Sequence, residues 1–169
     1  MGKSFILRNY ILIVVLCICC AGCLPSPYYQ VQVPIPQNQW AYNFRPIFKF
    51  EITDTTARYD PYFIIQHTQA YPYSNLWMWL YIKTPGDTIG KKERVNVVLA
   101  GVDGGWKGRG IGSIFEERVY LDLGDSVKLH KAGKYEVVLE QNMRVNPLPE
   151  ILHVGFRVDM KKRDLIKRQ

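Results

Sequence analysis

Period-two hydrophobicity is the feature that most narrows what this chain can fold into. Leu152, Val154, Phe156, Val158 and Met160 alternate with His153, Gly155, Arg157 and Asp159, the pattern of a strand with one face in a core and the other in water. Tyr135, Val137 and Leu139 alternate with Glu136, Val138 and Glu140, and Val95, Val97 and Leu99 and then Phe48, Phe50 and Ile52 do the same. Segments 62–69 and 126–131 read as further strands, and 28–33 can pair as a first one. Turn residues separate them: Pro85, Gly86 and Asp87; Asp103, Gly104 and Gly105; Asn146 and Pro147. Only 114–117 suggests a helical turn. The expectation is an all-β protein, an antiparallel β-sandwich of Ig-like or jelly-roll-like form, in a single domain over 48–160.

Segment 76–82 departs from simple alternation, because both of its faces are apolar. Trp77, Trp79 and Tyr81 line one face, and Leu76, Met78, Leu80 and Ile82 the other. A central strand covered on both sides accounts for this. An exposed aromatic platform that stacks on a glycan or peptide is the alternative.

The first 22 residues read as a leader. Lys3 and Arg8 precede the apolar run ILIVVLCI at 11–18, and Ala21 and Gly22 give a small-residue exit. The run is shorter than the ~20 apolar residues a membrane-spanning helix needs. Cys23 directly after Ala21 and Gly22 resembles the lipobox of a bacterial lipoprotein signal, in which the thiol takes a diacylglycerol and becomes the new N-terminus. Cys20 stands where most lipoboxes carry Leu. The reading is a lipoprotein signal peptide over 1–22, with Cys23 the lipidation site and the N-terminal lipid the link to the membrane. Residues 23–47 then form a tether, interrupted by Pro25, Pro27, Pro34, Pro36 and Pro46. No Asp or Glu occurs between Cys23 and Glu51. Acidic residues in that place mark export to the cell surface in related bacteria, so their absence points to the periplasmic face of the outer membrane.

Cleavage before Cys23 leaves 147 of the 169 residues, enough for one real core. All four cysteines lie at or before Cys23, so the folded part has no disulfide, no Cys-ligated metal and no cysteine nucleophile. The chain has 22 basic and 15 acidic residues, a formal charge of +7. Two basic residues fall in the leader, and five basic and one acidic in the tail 161–169; 15 and 14 remain, so the domain is nearly neutral. A basic tail of this kind is most simply a solvated terminus, with anionic lipid or an acidic partner as alternatives. Secretion argues against nucleic acid.

No constellation points to catalysis, a cofactor or a metal. His67, His130 and His153 lack a second ligand at metal spacing; His153 reads as an exposed surface residue and His67 as a satisfied, semi-buried one. No nucleophile elbow occurs, and Glu116 with Glu117 has nothing to place it across a cleft. The loop 104–112, with alternate glycines, Trp106, Lys107 and Arg109, meets neither phosphate-loop spacing. It reads as a structural loop anchored by Trp106, with a contact loop presenting Trp106 and Arg109 as the alternative. Tyr73 and Arg144, in the turns at 72–75 and 144–148, complete the candidate partner-contact residues.

Several segments resemble the GldH gliding-motility lipoprotein family. They are Phe50 through Thr55 (FEITDT), Tyr71 through Leu76 (YPYSNL), Gly105 through Gly112 (GWKGRGIG), Ala132 through Tyr135 (AGKY) and Glu140 through Leu148 (EQNMRVNPL). Their order behind a lipobox is more specific than any one of them, and the likeness covers roughly 39–158. The resemblance implies an envelope lipoprotein needed for gliding motility and associated with type IX secretion of adhesins. Its partners would be other motility or secretion lipoproteins or envelope proteins. No reaction or catalytic residue comes with it. A glycan-binding outer-membrane lipoprotein is the alternative function.

Overall fold

The computed structural model describes residues 26–124 and 129–161. Cys23, the leader and residues 162–169 lie outside the described residues. Among the described residues, eleven strands run in chain order. They are β1 (Tyr29–Pro34), β2 (Gln39–Trp40), β3 (Ile47–Ile52), β4 (Arg58–Thr68), β5 (Asn75–Lys83), β6 (Lys91–Val98), β7 (Arg109–Ile111), β8 (Ile114–Tyr120), β9 (Gly133–Gln141), β10 (Leu148–Pro149) and β11 (Ile151–Lys161). One sheet has the order β1-β11-β4-β8-β7 and another β3-β9-β5-β6, with β10-β2 a small third pairing. Every strand pair is antiparallel, and among the described residues there is no α-helix. The all-β sandwich expected from the alternation is the fold.

Alternation explains how the two large sheets close. In β3 the burial pattern switches at every residue, with Phe48, Phe50 and Ile52 turned inward. Opposite them, β11 supplies Val154, Phe156 and Val158. Phe48 and Phe50 lie 6.2 and 5.8 Å from Phe156, ring to ring, across the sandwich. Fully burying an aromatic or aliphatic side chain of this size is worth about 1.5–3 kcal/mol. With no disulfide available, rows of such residues hold the layers together.

The strands also define two ends of the molecule. Tyr29 pairs with Val158, Arg58 with Lys161, and Ile52 with Gly133, so the start of β1, the end of β11 and the loops 53–57, 84–90 and 129–132 share one end. Thr68 pairs with Ile114 and Asn75 with Val98, which puts the loops 69–74, 99–108 and 142–147 at the other.

Four expectations are corrected. The segment taken as a tether belongs to the fold from residue 28 onward: β1 pairs along β11, Ile35 donates to the Leu152 carbonyl at 2.8 Å, and Trp40 is fully buried. Pro34 fits because β1 is an edge strand, where a missing N–H can face away from the ladder, and Pro36 opens a short 3-10 turn. Residues 114–117 are strand, not a helical turn; β8 pairs with β4 from Ile114 to Tyr120. The described part of 126–131 is loop, because the Tyr135 hydroxyl takes the Lys131 N–H at 3.1 Å and donates to its carbonyl at 2.9 Å. Finally, His153 is half-buried with Nδ1 sealed from solvent and unpaired, and is no free surface residue.

Candidate functional site

The end that carries the loops 69–74, 99–108 and 142–147 is built around a buried histidine. His67 sits on the inner face of β4 beside Phe63 and Ile65 and is 0% exposed. Its ring is 4.4 Å from Trp106 and 5.4 Å from Tyr71, and it stacks on Phe115 at 5.9 Å. Nδ1 lies 2.8 Å from the Thr68 carbonyl, which fixes the proton on that nitrogen and leaves Nε2 as an acceptor without a partner. The expected satisfied histidine is therefore half satisfied. Burial lowers its basicity, offset in part by the Thr68 hydrogen bond, so the ring is neutral near pH 7.

One ladder step away, Glu117 occupies an inward position of β8 opposite Ile65. Its Oε2 is buried without a hydrogen-bond partner. Burial raises its proton affinity, and the Lys107 charge partly opposes the rise. Two polar groups thus lie near the glycine loop, each with one buried atom that has no hydrogen-bond partner.

The glycine loop is closed by its own backbone. Gly101 N–H donates to the Gly105 carbonyl at 2.8 Å, Lys107 N–H to the Leu99 carbonyl at 2.9 Å, and Ala100 bridges to Trp106. Gly108 allows a close approach, since a Cβ there would stand 2.7 Å from the Glu116 carbonyl oxygen. Gly112 turns β7 into β8 at φ +63°. Trp106 is a half-buried plug over His67, so its ring is spent on anchoring the loop. Tyr73 joins the same cluster, edge-on to Tyr71 at 5.7 Å. Arg109, the first residue of β7, and Arg144, on the 142–147 loop, are exposed and do not join the cluster. Outside the plug stand apolar side chains that the motifs had not singled out: Val102 is fully exposed, Ile111 is 86% exposed, and Ile114 and Val145 are also open. The signal for Ile111 was its place between Gly110 and Gly112, where it has no inward face to occupy.

On the outer face of the four-stranded sheet, Trp77, Trp79 and Tyr81 are half-buried, while Leu76, Met78, Leu80 and Ile82 fill the core. The aromatic faces carry cations. The Arg94 guanidinium lies 4.3 Å from the Trp77 ring, and Lys92 Nζ is 4.1 Å from Trp79 and 5.0 Å from Tyr81. A sugar would have to displace these groups to stack there. At the other end, beside the 84–90 loop, a cleft of about 750 Å³ is lined by Lys49, Glu51, Lys83, Asp87, Lys134 and Glu136. Its charges offset one another, with Lys49 and Glu136 paired at 3.1 Å. Among the described residues no three His, Cys, Asp or Glu side chains gather as a metal site, and no helix is long and apolar enough to cross a membrane.

Among the described residues the chain is an antiparallel β-sandwich without disulfides, its glycine loop plugged by Trp106 at one end. Residues 27–158 match the GldH lipoprotein family, and the chain belongs to it. It is 30% identical over 130 residues to a gliding motility lipoprotein GldH homolog of Christiangramia forsetii, covering 72% of this chain and 78% of that one. It is also 30% identical over 121 residues to gliding motility lipoprotein GldH of Flavobacterium johnsoniae, covering 68% and 73%. Among solved structures, a carbohydrate-binding module specific for non-crystalline cellulose superposes at a TM-score of 0.44 and 7% identity, over 79% of this chain and 75% of that one. A likeness that slight carries no argument.

Proposed function

We propose that this protein is a non-enzymatic lipoprotein, acylated at Cys23 and facing the periplasm from the outer membrane. It supports gliding motility and the associated type IX secretion machinery through protein contacts made at the end of the sandwich away from the anchor. The observation that carries the reading is the set of exposed apolar residues there: Val102 on the loop stiffened by the Trp106 plug, and Ile111 and Ile114, paired at the tip of the β7–β8 hairpin. Apolar side chains on a rigid rim suit a partner surface better than water. The non-enzymatic part draws support from where the acid–base groups lie. His67 is buried beneath Trp106, and Asp60, on the opposite end, is held between Arg58 at 2.8 Å and Lys161 at 2.7 Å.

The test is complementation of a deletion strain, scored for colony spreading and adhesin export. The wild-type gene restores both. Cys23→Ser loses labelled fatty acid and leaves the membrane fraction, and function goes with it. Val102→Asp combined with Ile111→Asp keeps the fold and the anchor but abolishes both activities. A deletion strain that spreads and exports normally would sink the functional reading, and full rescue by the double variant would sink the contact surface.

A further inference from the structure

The four-stranded sheet has two edges, β3 and β6, and they are finished differently. The Leu139 N–H donates to the Pro46 carbonyl at 3.1 Å, so β3 bonds to β9 through Phe48, Phe50 and Ile52 and turns the backbone of Ile47, Lys49 and Glu51 outward. There the Tyr28 hydroxyl donates to the Glu51 carbonyl at 2.7 Å, and the Tyr29 ring packs on Phe50 at 5.2 Å. On the other side, the Asn142 N–H donates to the Trp77 carbonyl at 2.8 Å. This commits Trp77, Trp79 and Tyr81 to β9, and Leu76, Met78, Leu80 and Ile82 to β6. Their partners in β6 are Val97, Val95, Glu93 and Lys91. The N–H and C=O groups of Lys92, Arg94, Asn96 and Val98 therefore point off the sheet, and no described strand lies beyond them. Neither edge of the other sheet is comparable. β1 spends one outward position on Pro34, which has no N–H, and β7 is three residues long.

Edge strands are commonly shielded by charged side chains that stand over the bare backbone. In β6 these are folded back. The Arg94 guanidinium rests 4.3 Å from the Trp77 ring and Lys92 Nζ 4.1 Å from Trp79, so both lie over β5 and leave the open side bare. Among the described residues neither meets a carboxylate. The outer face of β6 thus carries Lys92, Arg94, Asn96 and Val98, two cations and no acid. We propose that β6 is a docking edge for an extended segment of a partner protein, added antiparallel as a fifth strand, with carboxylate side chains opposite Lys92 and Arg94. Backbone bonds at the four outward residues supply the affinity, and the two cations select an acidic sequence. A second copy of β6 would bring two more cations and no carboxylate to this face, so charge favours a different chain. The edge is a second surface, distinct from Val102, Ile111 and Ile114, and its use does not require lipid at Cys23.

The probe is a blocked, fluorescein-labelled nine-residue peptide of alternating valine and glutamate, titrated with the purified full-length protein and read by fluorescence anisotropy. A dissociation constant of about 100 µM is expected. The same peptide with lysine in place of glutamate binds about tenfold more weakly. Lys92→Glu combined with Arg94→Glu reverses that preference while the unfolding temperature stays within about 2 °C. Pairing itself is tested on the peptide, so no variant has to fold. In an antiparallel addition the glutamate N–H groups face β6 and the valine N–H groups face away. N-methylation of the glutamates therefore abolishes binding, and N-methylation of the valines leaves it within about threefold. No binding of the valine–glutamate peptide at about 1 mM, or binding indifferent to which residues are methylated, overturns the docking edge. Equal affinity for the glutamate and lysine peptides overturns the acidic partner. Dimers in sedimentation that excess peptide dissociates give the edge to a second copy, and overturn the proposal too.

Discussion

Gly155→Ala tests whether β1 is part of the folded body, and its outcome can be worked from three distances. Gly155 sits mid-strand in β11, opposite Gln32 of β1 on one side and Ile64 of β4 on the other. A Cβ there would lie 2.7 Å from the Val31 carbonyl oxygen, 2.8 Å from Gln32 Cγ and 3.3 Å from Gln32 Cα. Ordinary contact starts at 3.4 Å, so the methyl needs about 0.7 Å more room. The Gln32 side chain can swing aside, but the Val31 oxygen cannot move without carrying β1 with it. Gly155 is not in the left-handed region, so alanine adopts its backbone freely and gains about 0.5–1 kcal/mol from the stiffer unfolded chain. Against this, overpacking costs about 1–3 kcal/mol. Taken at the middle of both ranges, the net is a loss of about 1 kcal/mol, roughly 3–6 °C in Tm for a domain of this size. Thermal unfolding followed by circular dichroism reads the loss, and hydrogen exchange localises it to the β1 amides. Adding Gln32→Ala restores only part, because the carbonyl contact remains. A Gly155→Ala protein as stable as wild type, with β1 equally protected, would refute the packing of that segment against β11.

Three further outcomes follow from charges and rings. His67 is neutral when folded because burial lowers its pKa; the unfolded chain takes up a proton below about 6.5, so its contribution to stability falls as pH drops through that value. His67→Phe, which keeps the ring packing, should flatten the slope of denaturant midpoint against pH between 7 and 5.5 (a span of ~1.5 units), and an unchanged slope would contradict the assignment. Asp60 is opposed by burial, but the hydrogen bonds and charges of Lys161 and Arg58 outweigh it and lower its pKa. Its stabilisation is present above the unfolded value near 3.9 and fades as pH falls through the lower folded one. Asp60→Asn should cost about 2 kcal/mol at pH 7 in chemical denaturation, and a loss equal at pH 7 and pH 2 (~5 units apart) would contradict this. A double-mutant cycle on Trp77→Ala and Arg94→Ala should give a coupling of about 0.5–1 kcal/mol; zero coupling would mean the cation does not rest on the ring.

Strands with one face in the core were legible because burial and sequence share a period. β3, β9 and β11 were readable for that reason, and β5 for its inner face. β1 was harder. Its exposed Val31 and terminal Pro34 look like a linker until β11 is beside them, and pairing is a long-range fact. β4 blurs its own alternation, since Ile64 on the outer face is 1% exposed between Phe63 and Ile65. The contact residues were legible as a loop and a pair of turns, but the orientation of Trp106 was not. Its partner His67 is on β4, and nothing local says that the indole turns inward to meet it.

Glu117 shows where the two readings of a residue compete. Its chemistry says water, and it sits between Glu116 and Arg118 in a segment where 114–117 suggests a helical turn. Its position says core, because Phe115 and Val119 flank it on the inner face, opposite His67 and Phe63. The ladder wins, since a strand cannot turn one side chain out without breaking the pleat for its neighbours. The cost is lessened by placement at the end of the sandwich, where solvent is close and Lys107 supplies an opposing charge. The same placement accounts for the free Nε2 of His67. Both groups stand where the core gives way to the glycine loop, so the Trp106 indole that closes this end packs on the His67 ring as well as on Tyr71 and Phe115. A loop seated on such a floor holds its outer residues, Ile111 among them, in fixed positions without a disulfide to pin it.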